Sequence, residues 1–393
     1  VIPDAAWERL AVAIWRRLRC GSLRVTMPDG RVHAFRGPRP GPAAEVEIHD
    51  ARLLRALATT GAIGLADGYV HGWYDSPDLG AVIELGALHL EPEHRTRVPA
   101  SLERAGRRLW GLVTDPSSPR GPLDDIVQHY DLGNDFYALW LDPTMTYSSA
   151  VFERHDMTLE QAQRTKYRHL AERARVERDS TVLEIGSGWG ANALYLAGEL
   201  GCHVTTMTVS REQALHVEKL AAEHGLADRI DVGLKDFSAA EGTYDHVVSV
   251  EMIESIPRTR WAELLRVMRD RLAPSGTIGL QSIWVADAHW ESSDAHPDFV
   301  RRYIFPGGQV PSPGILRRLV RATGLTWASE ESFGASYART LRAWRAAFDA
   351  AHDRITALGF DERFVRMWRY YLAYCEGGFA SGRVGVSQIA LVR

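Results

Sequence analysis

The sequence is short of cysteine, of long apolar runs and of any large excess of one charge. Its three cysteines, Cys20, Cys202 and Cys375, are too few and too widely spaced for a disulfide framework or a zinc pattern. They point to a reducing compartment, the cytoplasm, and no metal site is expected. No stretch approaches the roughly 18 consecutive apolar residues that a spanning helix needs. The opening VIPDAAWERL lacks a basic region followed by an apolar run, so no signal peptide is expected there. A net charge of −4 over 393 residues argues against a general nucleic-acid partner. What the chain has is 45% hydrophobic residues, enough for a large core in what the length suggests are two domains. Its twelve tryptophans fit an aromatic core, and equally an apolar cavity or an interfacial surface.

The stretch VLEIGSGWG (182–190) organises the rest. It reads as a short buried strand running into Gly186, Gly188 and Gly190, then a helix from about Ala191 to Leu200 that Gly201 stops. Glycines at such a turn let the backbone approach a ligand closely and adopt positive φ. From Thr181 onward strands and helices alternate. The strands are expected at 181–185, 203–208, 230–234, 245–251 and 277–283, and Arg211–His224 is a helix with Ser210 and Gln213 as a capping box. Alternation with apolar, β-branched strands predicts a parallel α/β sheet. A last strand, 387–392, would return antiparallel beside the sheet's edge.

Upstream, Trp7, Leu10, Ala11, Ile14 and Leu18 fall at helical spacing. Leu23–Phe35 predicts a hairpin turning at Pro28-Asp29-Gly30, Pro38–Pro42 a loop, Asp50–Thr60 a helix, and Gly64–Leu79 turns mixed with aromatics. Residues 1–108 thus make a small α+β domain, 109–127 a linker and 128–393 the second domain. Arg95, Arg97, Arg104, Arg107, Arg108 and Arg120 crowd the connecting region, which suits a solvated connector or a patch meeting anionic lipid. Thr158-x-x-Gln161 forms a capping box for a helix to about Arg175. Two helices close the chain, one carrying Leu341, Trp344, Phe348 and Ile355 and ending at Gly359, the other carrying Phe364, Trp368, Tyr371 and Cys375.

Gly186-x-Gly188 with Ala191 also fits the dinucleotide fingerprint. That pattern expects an acid at the end of the second strand to hold a ribose. Here the strand ends Thr208-Val209-Ser210, with Gln213 beyond, and no acid. The third strand is followed by Asp236 and Phe237, an acid and an aromatic face, and the fourth by Glu251-Met252-Ile253-Glu254. These strand ends converge on one crevice, and a methyl donor suits them better than a nicotinamide dinucleotide.

With those residues in view, the sequence resembles the cyclopropane-fatty-acid synthase family of S-adenosylmethionine-dependent methyltransferases. The resemblance is carried by HYDLGNDFYALWLDPTMTYSSAVFE (129–153), VLEIGSGWG (182–190), TVSREQ (208–213), SVEMIES (249–255), RRYIFPGG (301–308) and RMWRYYLAYCEGGFASGR (366–383). GLADGYVHGWYD (64–75) resembles the N-terminal domain of the longer members. The resemblance implies a Rossmann-like class I methyltransferase domain beside a smaller domain tied to lipid binding and dimerisation. It also implies an unsaturated phospholipid acyl chain as substrate, and a homodimer or larger homo-oligomer on the inner face of the cell membrane. Carried over by motif, the cofactor contacts would be Tyr147, Ser148, Gly186, Gly188, Trp189, Thr208, Val209, Ser210 and Gln213, with Asp236 and Phe237 beside them.

Methyl transfer to one carbon of an isolated alkene leaves a cation on the other, which must be stabilised, kept dry and relieved of a proton. Losing the proton from the new methyl closes a cyclopropane; the same cation also leads to a methylene or a shifted alkene. Glu254 is the expected electrostatic partner of the cation. Tyr371, on one helical face with Trp368, would orient a base or line the acyl channel. In the family a bicarbonate serves as base, held by a Cys, a Glu, a His and a Tyr. The sequence matches at Glu254 and Tyr371 but has Ser149 and Gln281 at the other two positions. Both can bind an anion by hydrogen bonds, yet the change leaves open the base and the place from which the proton leaves. Residues 298–313 are expected to wall the site from water. Two other readings stand beside this one, a silent lipid-binding module and a methyltransferase of a soluble small molecule.

Overall fold

The structure, a computed structural model, describes residues 3–90, 132–295 and 298–393. The expected linker, the basic cluster 95–120 and the start of the 129–153 motif lie outside them. The chain divides into two compact units.

The first unit comprises Val1–Leu139, Ala295–Pro306 and Leu341–Arg383. Its sheet has the order β2-β1-β3-β4, with β1 Cys20–Thr26, β2 Val32–Arg36, β3 Arg39–Ile48 and β4 Tyr74–Asp75. The hairpin β1–β2 turns where expected, with Gly30 at φ 84° and its N–H donating to the Met27 carbonyl at 2.8 Å. The loop expected at 38–42 is instead the start of β3. Proline cannot donate to a ladder, and Pro40 and Pro42 are accommodated because the β1–β3 register shifts between Cys20 and Ser22. Gly64–Leu79 is not all turns either, since Ala62–Val70 is helical. The helix Asp4–Trp15 forms, but its apolar stripe buries nothing, and Leu10 and Ile14 stay exposed.

An aromatic cluster fills this unit. Phe136 meets Phe348, Phe360, Phe364 and Trp368 at centroid distances of 5.0–6.2 Å. Part of the tryptophan surplus is core, with Trp140, Trp261, Trp344 and Trp368 fully buried within their units, while Trp7, Trp15, Trp73, Trp284, Trp290 and Trp327 are half-buried.

The second unit comprises Trp140–Asp294, Gly307–Thr340 and Val384–Arg393. Its seven-stranded sheet runs β10-β11-β9-β8-β5-β6-β7, from β5 Thr181–Ile185, β6 His203–Thr208, β7 Ile230–Leu234, β8 Tyr244–Val250, β9 Leu272–Val285, β10 Thr326–Ser332 and β11 Val384–Val392. The pairs among β5–β9 are parallel, as the alternation of strands and helices predicts. The last strand does return antiparallel, but between β9 and β10 rather than at the edge. The edge is β10, TWASEES, whose polar sequence hides it from a hydrophobicity reading. One apolar core joins Leu183 and Ile185 of β5 to Val247, Ile278 and Leu280 and to Trp261, Leu264 and Met268 of the helix Trp261–Arg271.

Both helix caps form, with one difference. Thr158 and Gln161 make the full reciprocal box. Ser210 accepts the Gln213 N–H, but the Gln213 side chain turns to Thr208 instead of completing the box. Chain reversal at β5 places Gly190 at φ 90°, where an added Cβ would lie 2.9 Å from Val217 Cγ2. Positive φ and a stiff neighbour act together, so Gly190→Ala is expected to cost about 2–4 kcal/mol. Urea unfolding checks this, and an unchanged midpoint would show that the turn can relax.

Candidate active site

Strand order reverses around β5, which has β6 on one side and β8 on the other. Ligands bind at such a point, outside the carboxyl ends of the strands. The expected cofactor residues of the second unit collect there. Gly186 and Gly188 leave β5 at φ 94° and 51°, and a Cβ on Gly188 would meet nothing within 4 Å. Gly186 and Ser187 each donate an N–H to the Met207 carbonyl at 3.0 Å. Inside β5, Glu184 accepts from Asn192 Nδ2 at 2.7 Å and Thr206 Oγ1 at 2.5 Å. Burial pushes this carboxyl up to about 7, against those hydrogen bonds and the charge of Lys166.

At the end of β6, Thr208 Oγ1 donates to Gln213 Oε1 at 2.8 Å and accepts the Ser210 N–H at 3.1 Å. Val209 between them is 76% exposed, so only its backbone is fixed. After β7, Asp236 takes both guanidinium nitrogens of Arg260, at 2.8 and 3.0 Å, and Ser238 Oγ at 2.6 Å. The Arg260 hydrogen bonds hold its carboxyl far below the usual range. Phe237 is buried in the main core with the Arg260 guanidinium 4.3 Å above its ring. Trp189 is buried.

The segment before the glycine loop is pinned from several sides. Tyr147 packs edge-on against Trp140 at 5.5 Å. Ser148 Oγ accepts from Lys166 Nζ at 2.7 Å and its carbonyl accepts Gln163 Nε2 at 2.9 Å. Lys166 is fully buried, which pulls its ammonium down to about 7.

The turn after β8 holds the acids. Glu251 is a non-glycine residue at φ 50°, and Met252 beyond it packs 3.0 Å from where a Gly186 Cβ would stand. That contact ties the acid-bearing turn to the glycine loop. Glu254 is buried, and its Oε1 accepts from Ser282 Oγ at 2.9 Å and from the Ile283 N–H. Its Oε2 is buried with no hydrogen-bond partner among the described residues. Burial, then the charge of Glu251, pushes this carboxyl up to about 8.

Glu251 is the residue that the sequence reading passed over. Its Oε1 accepts the Ser149 N–H at 2.9 Å and Gln281 Nε2 at 2.7 Å, and its Oε2 accepts the Tyr337 hydroxyl at 2.7 Å. Ser149 and Gln281 are therefore brought together, around a carboxylate of the chain itself. Ser149 Oγ turns to the Ala150 carbonyl, and Gln281 Oε1 accepts Gln388 Nε2 at 3.0 Å. Tyr337 was missed as well; Ser336, Tyr337 and Thr340 form a polar stripe at helical spacing that points to it. Tyr371 lies in the first unit, on the helix Glu362–Ala380, packed edge-on against Phe305 at 6.0 Å and Trp368 at 5.2 Å.

The residues present suit a nucleoside-bearing sulfonium. An open glycine turn, a hydroxyl-rich strand end and a buried acid with an unshared oxygen follow the carboxyl ends of β5, β6 and β8. Among the described residues, no group of three or more His, Cys, Asp or Glu could hold a metal ion.

Residues 118–389 match the model of the mycolic acid cyclopropane synthetase family. The chain belongs to this family. Its members are S-adenosylmethionine-dependent methyltransferases, and the chain is an enzyme of that class with S-adenosylmethionine as its cofactor. It is 35% identical to the tuberculostearic acid methyltransferase UfaA1 of Mycobacterium tuberculosis, over 94% of this chain and 88% of that one. It is 30% identical to the cyclopropane-fatty-acyl-phospholipid synthase of Escherichia coli K12, over 100% and 95% respectively. Among solved structures it is similar to the mycolic acid cyclopropane synthase CmaA1 complexed with SAH and CTAB. That match has a TM-score of 0.63 and 29% identity, covering 70% of this chain and all of the other. The Rossmann-like class I fold holds as expected.

Proposed function

We propose that the enzyme adds a one-carbon unit to the cis double bond of unsaturated phospholipid acyl chains. The observation that carries this reading is Glu254, a buried acid with one oxygen unshared, on the turn that Met252 packs against the glycine loop. Its likeness over nearly the whole chain to proteins named for fatty acyl substrates supports the lipid. When bound, S-adenosylmethionine supplies an electrophilic methyl. We assign its contacts to Tyr147, Ser148, Gly186, Gly188, Trp189, Thr208, Val209, Ser210, Gln213, Asp236 and Phe237. Glu254 stabilises the cation left on the acyl chain. No helix among the described residues is long and apolar enough to cross a membrane, so the protein meets its substrate by peripheral association. A homodimer or larger homo-oligomer completes the proposal.

The first product reading is a cyclopropane. A second, a methylene that a reductase would convert to a methyl branch, draws support from two observations. The backbone N–H of Ser149 and the side-chain amide of Gln281 donate to Glu251, and one of the similar proteins is named a tuberculostearic acid methyltransferase. Labelled S-adenosylmethionine with vesicles of dioleoyl phosphatidylglycerol is expected to put label in the lipid. Proton NMR then separates the products of equal mass, upfield ring protons for cyclopropane and vinylidene protons for methylene. Unlabelled lipid would sink the lipid reading, and label in a soluble acceptor would replace it.

A further inference from the structure

The reaction must end with loss of a proton, and the described residues of the second unit offer few groups able to take it. Lys166 is fully buried, its Nζ held between Ser148 Oγ and the face of the Tyr167 ring, so it is shut away from a ligand. Glu254 has its Oε1 occupied by Ser282 and Ile283. Its place beside the developing charge makes it a counter-ion, and once protonated it could no longer serve as one. Tyr337 donates its proton to Glu251 and is the weaker base of the two. Glu251 differs from all of these. It sits deep in the fold yet keeps part of its surface open. Three neutral donors reach it from distant points of the chain: a backbone N–H at 149, a side-chain amide at 281 and a phenol at 337.

Such convergence is what an anion needs. Three donors fill three lone pairs of a carboxylate that has about four, so the second oxygen retains one for an incoming proton. The backbone at Glu251 is in the left-handed region, a conformation costly for a residue with a side chain and held here by those hydrogen bonds. Gln281 is in turn fixed by Gln388, whose Nε2 also reaches the Lys166 carbonyl at 2.9 Å. The carboxylate is therefore braced by side chains that are themselves braced, as a positioned base requires.

We propose that the carboxylate of Glu251 is the general base of this enzyme, so that no external anion is needed to take the proton. The inference rests on the lipid-methylation reading. The alkene π pair forms the new C–C bond to the transferred methyl, the C–S pair leaves with sulfur, and the neighbouring carbon becomes cationic. Glu251 then accepts a proton from the methylated chain, and the C–H pair left behind closes onto the cationic carbon. If a hydride shifts first to the cationic carbon, the same base leaves a methylene instead of a ring. Tyr337 and Gln281 are positioning residues, holding the base through its two oxygens.

The test uses the full chain with S-adenosylmethionine and dioleoyl phosphatidylglycerol vesicles in buffer stripped of bicarbonate. Wild type is expected to turn over as well in stripped buffer as in bicarbonate. Glu251→Gln should lose about a hundredfold or more in turnover while its affinity for S-adenosylmethionine is unchanged. Glu251→Gly removes the backbone strain and leaves the three donors facing a space of carboxylate size, so added formate or bicarbonate should restore part of its turnover. A second readout needs neither cofactor nor lipid. Carbon-13 bicarbonate should bind to Glu251→Gly, by NMR line broadening, and not to wild type at this position.

A wild type that methylates lipid only with bicarbonate present would overturn the proposal and leave the lipid reading standing. Full turnover by Glu251→Gln would do the same. A wild type that methylates no lipid would sink the lipid reading. In that case binding of bicarbonate by wild type as tightly as by Glu251→Gly would also overturn the proposal, whereas binding by the variant alone would support it.

Discussion

Replacing Glu254 by Gln is expected to slow turnover about a hundredfold at pH 7 and, in the same protein, to raise its stability at that pH. Both effects come from one carboxyl. A carboxylate about 4 Å from a unit positive charge is worth roughly 4 kcal/mol at an effective dielectric near 20. Burial has pushed the Glu254 carboxyl up to about 8, so in the free enzyme at pH 7 it is mostly protonated. Ionising it there costs about 1.4 kcal/mol per pKa unit, which leaves roughly two powers of ten in rate for the charge to supply. Turnover of wild type should therefore rise between pH 6 and pH 8, the span leading up to that value of about 8.

Stability runs the other way. The folded pKa lies above the ordinary 4.5, so between the two the unfolded chain binds fewer protons than the folded one. Unfolding is then favoured progressively as pH rises through that window, and the stability present at acid pH is lost by about pH 8. Glu254→Gln carries no charge to ionise, so its stability should decline less over the window. Urea midpoints at both ends of the window, with cofactor affinity measured by titration, check the pair of effects. Equal turnover in the variant would remove Glu254 from the mechanism. An equal decline in stability would mean that its carboxyl is ionised in the free protein.

Much of this fold could be read in the chain because its signals are local. The runs at 181–185, 203–208 and 230–234 are short, rich in Val, Ile, Leu and Thr and separated by helical stretches, the pattern that a parallel sheet with crossover helices imposes. Thr158 and Gln161 set a helix start with two hydrogen bonds made within four residues. What escaped notice was non-local. Pro40 and Pro42 sit in a strand because they fall in its own bulge, between the pairs Cys20–Arg39 and Ser22–Ala43, where no ladder hydrogen bond is asked of them. Strand β10 exposes most of its residues at the sheet edge, so it needs no apolar alternation. Gly64 and Gly68 look like turn residues, yet a Cβ on either would collide with packed neighbours, Ala56 in one case and Leu53 in the other. They serve close packing in a helix.

The site divides along the same line. The glycine loop and the hydroxyls at 208 and 210 are contiguous, and they pointed to the cofactor. Glu251 is three residues from a glutamate that attracted attention by resemblance, but its partners come from positions 149, 281 and 337. Only the fold brings those together. The departures at Ser149 and Gln281 looked in the sequence like two losses from an anion site. In the structure the Gln281 amide donates to an anion that the chain provides, together with the backbone N–H of residue 149, while the Ser149 hydroxyl turns away to the Ala150 carbonyl.

Replacing Glu376 by Ala should destabilise the first unit by about 3–5 kcal/mol, the cost of leaving a buried charge without its partner. Glu376 lies on the helix Glu362–Ala380 with its side chain 2% exposed, and it accepts from Arg342 Nε at 2.8 Å and from Arg345 Nε and Nη2 at 3.1 and 2.9 Å. Gly80 makes room for it, since a Cβ there would stand 2.8 Å from the carboxyl carbon. Arg342 is 62% exposed and can return to water, but the Arg345 side chain is only 15% exposed and would keep a single long contact of 3.5 Å to Asp78. Arg345 therefore carries most of the penalty. Hydrogen exchange along residues 362–380, compared between wild type and Glu376→Ala, reads the loss where it occurs. Replacing Arg345 and Glu376 together by apolar residues of similar volume should recover most of it, because a buried pair is worth little more than the packing that could take its place. If the double replacement were as unstable as the single one, the arginine fork would be contributing hydrogen bonds that no apolar packing replaces. The carboxylate would then be the bond that fixes this helix against Gly80, and through it the ring packing of Tyr371 and Trp368.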